Sequence, residues 1–382
     1  MRRCQQLFIT CAPIFPPNSG YKHSVLGRIW ESVSAGNAPQ VLALNNESVK
    51  ATGPQHPPPE LASVRYSEVA SDTVRSPLAE LVNLFTREPR FARIFSIDKF
   101  RHAVAESVKA QQPQEIVAES IWVLGTIDRS EWHRVNLVIH DVTAHLLRSS
   151  MQGERSWLRK IFHWRDLQRC AAFESNALRA FPGHITFLTQ EDMTHYREAY
   201  GLAPGQCQVA SNRLMTSRVE RKVRLDEPFL LFPGSIEFHQ NFTALKWMAE
   251  KVWPLCREDL HKRLSVTVTG KASEALRAQL DALGMPIVWM GEIPYSQLDA
   301  LYASCVCLVS SIISGTGIKV KNLEAVAKGI SLVTTYMSAR GIDSHLCYRA
   351  VDDSPQAFAE MLKACVEHEL GPSTVANSVS LN

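Results

Sequence analysis

The chain predicts an α/β protein built as two domains, each with a parallel sheet. Three observations carry this. Its 382 residues exceed the roughly 250–300 at which single hydrophobic cores stop growing. Short apolar runs of strand length alternate with helical stretches, the order that yields parallel sheets. Glycines follow four of these runs, at Gly234, Gly270, Gly291 and Gly315, on the edge where open α/β sheets bind ligands. The 45% hydrophobic and 21% charged content is that of a globular protein, and a net charge of +3 is too small to argue for nucleic acid. Nine cysteines are scattered without a C-x-x-C pair and read as buried thiols of a reducing compartment. No apolar run reaches the roughly 18 residues of a membrane span.

Leu7 to Ala12 reads as the first strand, too short for a signal peptide and stopped by the prolines before Gly20. A helix is expected from His23 to Ala35 and a strand from Gln40 to Leu44. Lys50 to Glu60 is Pro-rich and polar and reads as an exposed loop. Residues 77–111 read as helical, with Arg87, Arg90, Arg93, Lys99 and Arg101 among Phe85, Phe91, Phe95 and Phe100. That mixture suits an anionic membrane surface or a solvated helix face with its apolar side in the core. Val135 to Asp141 reads as a buried strand running into His140. A histidine there is a ligand group at the sheet edge or a hydrogen-bonded structural residue. Arg148 to Ala180 reads as a long helix, with Trp157, Leu158, Ile161, Phe162 and Trp164 set against Arg155, Arg159, Lys160, Arg165 and Arg169. The strand His184 to Thr189 follows, then a helix opening with Gln190-Glu-Asp192, acidic residues that suit a helix N-terminus.

Val219 to Pro228 is charged and proline-stopped. The domains are therefore expected at 1–221 and 229–370, joined by a linker at 222–228 and followed by a polar tail at 371–382. In the second domain the expected strands are Phe229 to Pro233, Leu264 to Thr269, Ile287 to Met290 and Cys305 to Ser310. Helices are expected at Phe242 to Cys256, Ser296 to Ala303 and Ala357 to Val366. The stretch Ser314-Gly-Thr-Gly-Ile-Lys-Val-Lys-Asn-Leu-Glu-Ala325 then joins a glycine turn to a helix over Lys321 to Lys328. Free backbone N–H groups and the helix dipole make such a turn a phosphate site, and Lys319 and Lys321 add positive charge. Val320, Leu323 and Ala327 share one helix face, which leaves Glu324 near the loop to accept two ribose hydroxyls. The alternative is a surface turn before an ordinary helix with a solvated glutamate.

Together with Gly329-Ile-Ser-Leu-Val-Thr-Thr335 and Ala339-Arg-Gly-Ile342, this stretch resembles the donor-binding half of glycosyltransferase family 4. That resemblance implies the GT-B fold, two Rossmann-like domains facing across a cleft. It implies that Glu324 holds the nucleotide ribose as the second glutamate of a Glu-x7-Glu motif. The first falls at Thr316, a departure from the pattern. Many members carry Arg and Lys after the strand matching Phe229 to Pro233, whereas Ser235 and Asn241 stand here with His239 between them. Phosphate binding would then rest on Lys319, helped by Lys321, with Gly234, Ser235, Gly291, Gly315, Thr316 and Gly317 lining the donor site. In the first domain the resemblance puts His140 on the donor sugar, and Asp141 beside it reads as orienting its ring, not as attacking the sugar. The resemblance puts Glu174 at the end of the long helix, favours packing of that helix's apolar stripe, Trp157 to Trp164, on the core over membrane contact, and puts Asn212 near the cleft. Gly20 and Lys22 fall in a similar Pro-Pro-x-x-Gly loop on the acceptor side, whose alternative is a plain connection.

The implied activity is a retaining, metal-independent transfer from a nucleotide-diphosphate sugar to a glycan or lipid-linked glycan. His140, Lys319 and Glu324 carry the chemistry. The setting implied is bacterial surface polysaccharide synthesis, in the cytoplasm or in peripheral contact with the inner face of the membrane. The sugar nucleotide is a co-substrate, and no cofactor and no nucleic acid are implied. The alternatives are a weakly active or non-catalytic GT-B binding protein, and a Rossmann dehydrogenase, which lacks its G-x-G-x-x-G after the first strand.

Overall fold

The computed structural model describes residues 4–17, 19–45, 58–71, 86, 89–95, 97–140, 157–210, 214–216, 218–256, 260, 264–314 and 318–371. The chain divides into two compact units, Met1–Met215 and Thr216–Asn382.

The first unit holds a seven-stranded sheet in the order β3-β2-β1-β4-β5-β6-β7, every pair parallel. The strands are β1 (Gln5–Thr10), β2 (Ala38–Asn45), β3 (Arg65–Ala70), β4 (Glu115–Ala118), β5 (Val135–Ile139), β6 (His184–Phe187) and β7 (Cys207–Val209). Leu7, Ile9, Leu44, Ile116 and Leu137 are fully buried, the pattern of strands covered on both faces. Strand order reverses between β1 and β4, which places a ligand crevice outside their carboxyl ends. Helix α1 (Gly20–Ser34) starts where the Ser19 hydroxyl accepts from the Lys22 backbone N–H at 3.4 Å.

Two differences from the sequence reading concern helices. Where one helix is expected over 77–111, the described part forms α2 (Arg90–Phe95) and α3 (Asp98–Gln111), separated by extended backbone at Ile97. Phe100 is fully buried and Phe91 and Phe95 pack on the core, so the apolar side faces inward. The opposite holds for α4 (Trp157–Arg179). Leu167, Cys170, Glu174 and Leu178 form its buried stripe, whereas Trp157, Ile161 and Trp164 lie 68%, 52% and 55% exposed. At 3.6 residues per turn the two stripes are roughly 100° apart, so the residues expected to pack inward point out. Helix α5 (Gln190–Tyr200) follows β6, capped by Thr189.

The second unit repeats the plan with six parallel strands in the order β10-β9-β8-β11-β12-β13. These are β8 (Phe229–Pro233), β9 (Ser265–Thr269), β10 (Ile287–Gly291), β11 (Cys307–Ser310), β12 (Leu332–Thr334) and β13 (Tyr348–Arg349). Here the reversal lies between β8 and β11. Helix α6 (His239–Trp247) passes through a π-helical turn, Met248–Val252, into the short α7 (Trp253–Cys256). Pro254 inside this run has no N–H to give the regular ladder, which accounts for the irregular turn ahead of it. Helices α8 (Glu274–Asp281), α9 (Tyr295–Ser304), α10 (Val320–Lys328) and α11 (Pro355–Leu370) complete the layers. The segment at 219–224 bonds to this unit: Val219, Lys222 and Arg224 donate backbone N–H groups to the carbonyls of Lys328, Ala303 and Ser304.

Candidate functional site

At the β8/β11 reversal two glycines let the loops close on each other. Gly234 has φ 126° and a Cβ there would meet the Asn241 amide nitrogen at 2.9 Å. Gly270 has φ 96°, and a Cβ would lie 2.7 Å from the Ser235 backbone nitrogen. Asn241 Nδ2 donates to the Ser235 carbonyl at 2.9 Å, and Ser235 Oγ donates to the Lys271 carbonyl at 3.1 Å. The residues standing where cations were expected thus brace the loop.

The positive group arrives from α10. Lys321 Nζ donates to Pro233 O and to Asn241 Oδ1, both at 3.3 Å, and lies 4.3 Å from the centre of the Phe232 ring. Those contacts favour the ammonium, but burial first, then the charge of Lys319, pull its pKa down to about 7. Lys319 caps the helix with extended backbone. Gly315, Thr316 and Gly317 lie outside the described residues. Gly291 accepts from the Gly270 N–H at 2.6 Å and lines a depression of about 320 Å³ with Glu237, Lys271, Ser273, Arg277 and Glu292.

Glu324 is neither solvated nor open. It is 7% exposed, and its carboxylate accepts from the Tyr295 hydroxyl and, at 3.0 Å, from the Tyr302 hydroxyl. Lys328 Nζ lies 3.9 Å away and is itself bonded to Asp299 at 2.6 Å and Thr216 at 2.9 Å. A ribose would have to replace the Tyr295 contact. The sequence reading missed these partners, although Tyr295, Asp299 and Tyr302 sit at i, i+4 and i+7, the spacing of one helix face.

In the first unit His140 follows β5, and its imidazole meets two groups that the sequence reading passed over. Nε2 is 2.9 Å from Glu119 Oε2, and Arg28 Nη2 is 3.0 Å from the same nitrogen. Arg28 grips Glu119 with Nε at 2.9 Å and with Nη2. Glu119 is fully buried. Burial alone would raise its pKa, but the Arg28 charge and the hydrogen bonds from His140 and Arg28 outweigh that and bring it down to about 2. Burial, with the Arg28 charge behind it, lowers the His140 pKa against the pull of Glu119. The ring of Tyr21 packs 4.8 Å from the imidazole, and its hydroxyl accepts from the Cys11 N–H at 3.1 Å. Glu119 was hidden because it follows a strand of only four residues in a polar stretch. Gly20 is exposed at the first position of α1, and Lys22 is buried. Glu174 is buried and accepts from Tyr200 at 2.7 Å and Tyr196 at 3.4 Å, a core role. Asp141 and Asn212 lie outside the described residues.

Two parallel sheets of this order, each with polar groups at its strand reversal, form the GT-B glycosyltransferase fold. Residues 227–368, most of the second unit, match the family model for glycosyl transferases group 1. The chain is 20% identical over 337 residues to an uncharacterized 44.6 kDa protein in the cps region of Klebsiella pneumoniae, covering 86% of this chain and 81% of the other. Among solved structures it is similar to WaaG, a glycosyltransferase involved in lipopolysaccharide biosynthesis, at TM-score 0.58 and 13% identity, covering 97% and 94% of the two chains. It is also similar to Anabaena HepE in complex with UDP and glucose, at TM-score 0.61 and 14% identity, covering 98% and 93%. No described helix is long and apolar enough to cross a membrane.

Proposed function

We propose that the chain transfers a sugar from a nucleotide-diphosphate donor to a hydroxyl of a glycan or lipid-linked glycan, with retention at the anomeric carbon and without a metal, in bacterial surface polysaccharide synthesis. The observation that carries this is Lys321, a partly buried amine held on Pro233 and Asn241 at the strand reversal of the second unit. Transfer leaves a nucleoside diphosphate, so the protein's main task is to stabilise charge growing on the β-phosphate. Lys321 and Lys319 would supply it, with backbone N–H groups of the Gly315-Thr-Gly317 turn, while Gly234, Ser235 and Gly291 would line the donor site. Glu324 would take the ribose hydroxyls in exchange for Tyr295, His140 the donor sugar, and Gly20 and Lys22 the acceptor side. Retention follows if the leaving phosphate accepts the acceptor's proton on the same face, which suits a sequence without glycosidase-type paired carboxylates. No Asp-x-Asp motif occurs in the chain, which supports metal-free chemistry.

The setting is supported by what the similar proteins' names say of them: lipopolysaccharide synthesis for WaaG, a cps region for the Klebsiella protein, and UDP with glucose for HepE. Peripheral contact with an anionic membrane at the cytoplasmic face belongs to the same reading. Trp157, Ile161 and Trp164, exposed beside exposed Lys160 and Arg165, support it. A weakly active or non-catalytic binder is the second reading, favoured by Thr316 and by the tyrosines that occupy Glu324. The test is titration of UDP, GDP and ADP into the wild type and into Lys321→Ala and Glu324→Ala variants, followed by nucleotide-release assays with sugars of the base that binds. Binding of one nucleotide that both variants weaken, with turnover, is expected. Binding without turnover moves the binder to first place, and no binding by the folded wild type removes the donor site.

A further inference from the structure

At the β1/β4 reversal of the first unit, three elements bring a carboxylate and a guanidinium onto one imidazole nitrogen. Glu119 leaves the end of β4, His140 the end of β5, and Arg28 stands on α1. We infer that Glu119, clamped by Arg28, fixes His140 in the tautomer with its proton on Nε2, so that the ring presents Nδ1 as a hydrogen-bond acceptor to a sugar hydroxyl. This makes Glu119 and Arg28 positioning residues, and it rests on the reading of His140 as a substrate residue.

The contacts decide the tautomer. An ionised carboxylate can only accept, so the 2.9 Å approach of Glu119 Oε2 to Nε2 is a hydrogen bond only if Nε2 carries the proton. The rival assignment has Arg28 Nη2, 3.0 Å away, donate to a bare Nε2. It would leave a lone pair facing a carboxylate oxygen at 2.9 Å inside the protein, with no proton between them. Arg28 does not need that bond. Its Nε and Nη2 donate to Glu119, and Nη1 donates to Ser24 Oγ at 3.1 Å. The low pKa of Glu119 agrees, because the carboxylate keeps its charge at any ordinary pH. Among the described residues no hydrogen bond engages Nδ1, and the His140 side chain retains 13% exposure while Glu119 has none. A histidine held this way accepts from a hydroxyl and does not donate to one, which selects the face and orientation of the sugar it touches.

The test is a two-bond proton–nitrogen correlation spectrum of the full-length protein labelled with ¹⁵N-histidine at pH 7, the His140 signals being those lost in His140→Gln. A neutral ring protonated at Nε2 is expected. A ring protonated at Nδ1, or a doubly protonated ring, overturns the inference from the wild type alone, whatever the variants do. In folded Glu119→Gln the carboxylate is gone, and the Nε2–H pattern is expected to shift toward Nδ1–H, while Glu119→Asp keeps it. An unchanged pattern in Glu119→Gln overturns the positioning role. With a donor in hand, Glu119→Gln is expected to lower kcat about 10²-fold with donor KM unchanged, and Glu119→Asp to restore most of it. A parallel fall in nucleotide affinity would mark a merely structural role. Failure of UDP, GDP and ADP to bind the wild type would sink the transferase reading and leave the nitrogen spectrum to decide the tautomer.

Discussion

Lys321 shows how one partly buried amine sets opposite demands on stability and binding. Its folded pKa of about 7 lies below the 10.5 of a free lysine, so between those values the unfolded chain holds a proton that the folded one lacks. The resulting penalty is fully present below pH 7 and is relieved as pH rises toward 10.5. Lys321→Met is therefore expected to raise the urea midpoint at pH 6, with the gain shrinking by pH 9, while nucleotide binding is lost. A diphosphate favours the ammonium, so nucleotide affinity should fall above pH 7. Calorimetry in buffers of different ionisation enthalpy should register proton uptake on binding. Glu119 has the opposite sign. Its pKa drops from 4.5 to about 2, so its roughly 3 kcal/mol of stabilisation is present above pH 4.5 and lost as pH falls toward 2. Acid titration of the wild type against Glu119→Gln should show that loss only in the former. The sequence reading offered both lysines for the proposed phosphate site but ranked Lys319 first, because which of two alternate residues turns onto Pro233 and Asn241 depends on how the helix is rotated. It also offered the ribose contact without the tyrosines that cover it.

Elements were legible wherever apolar periodicity was long. The four strands expected in the second unit (β8 to β11) and α10 fall within a residue or two of where alternation and glycine punctuation put them, while the short β12 and β13 were not expected. β3 and β4 were not legible. One is a polar edge strand and the other has four residues, so neither carries a period. The outward face of α4 was misjudged for a different reason. A helix with apolar residues on two stripes does not declare which one the core takes, and here the later stripe, through Leu167 and Cys170, took it. Sedimentation with vesicles of phosphatidylglycerol and phosphatidylcholine should show binding that a Trp157→Ser, Trp164→Ser variant loses. Equal binding by the variant would show that this helix is not the contact. The paired loops at Gly234 and Gly270 make a second prediction at this scale. Gly270→Ala forces a Cβ against the Ser235 nitrogen at a positive φ and should cost about 1–3 kcal/mol in denaturant unfolding, with weaker nucleotide binding.

At the scale of the molecule, each unit carries its own buried apolar cluster, one built on Leu7, Ile9 and Leu137, the other on Phe232, Leu245 and Val309. Residues 216–371 expressed alone are expected to melt cooperatively and to bind the same nucleotide as the full chain. Failure to fold would show that the second cluster depends on the first. Both sheets close their ligand edge by joining strands far apart in sequence, and in the first unit Gln6 of β1 meets Glu115 of β4, 109 residues later. On a translating ribosome that interval lasts roughly 5–20 s at 5–20 residues per second. Through all of it the first strand waits with one long flank open, so the crevice proposed to handle the sugar begins its life as an exposed edge, and the nascent chain is most in need of shielding where the candidate site is to form.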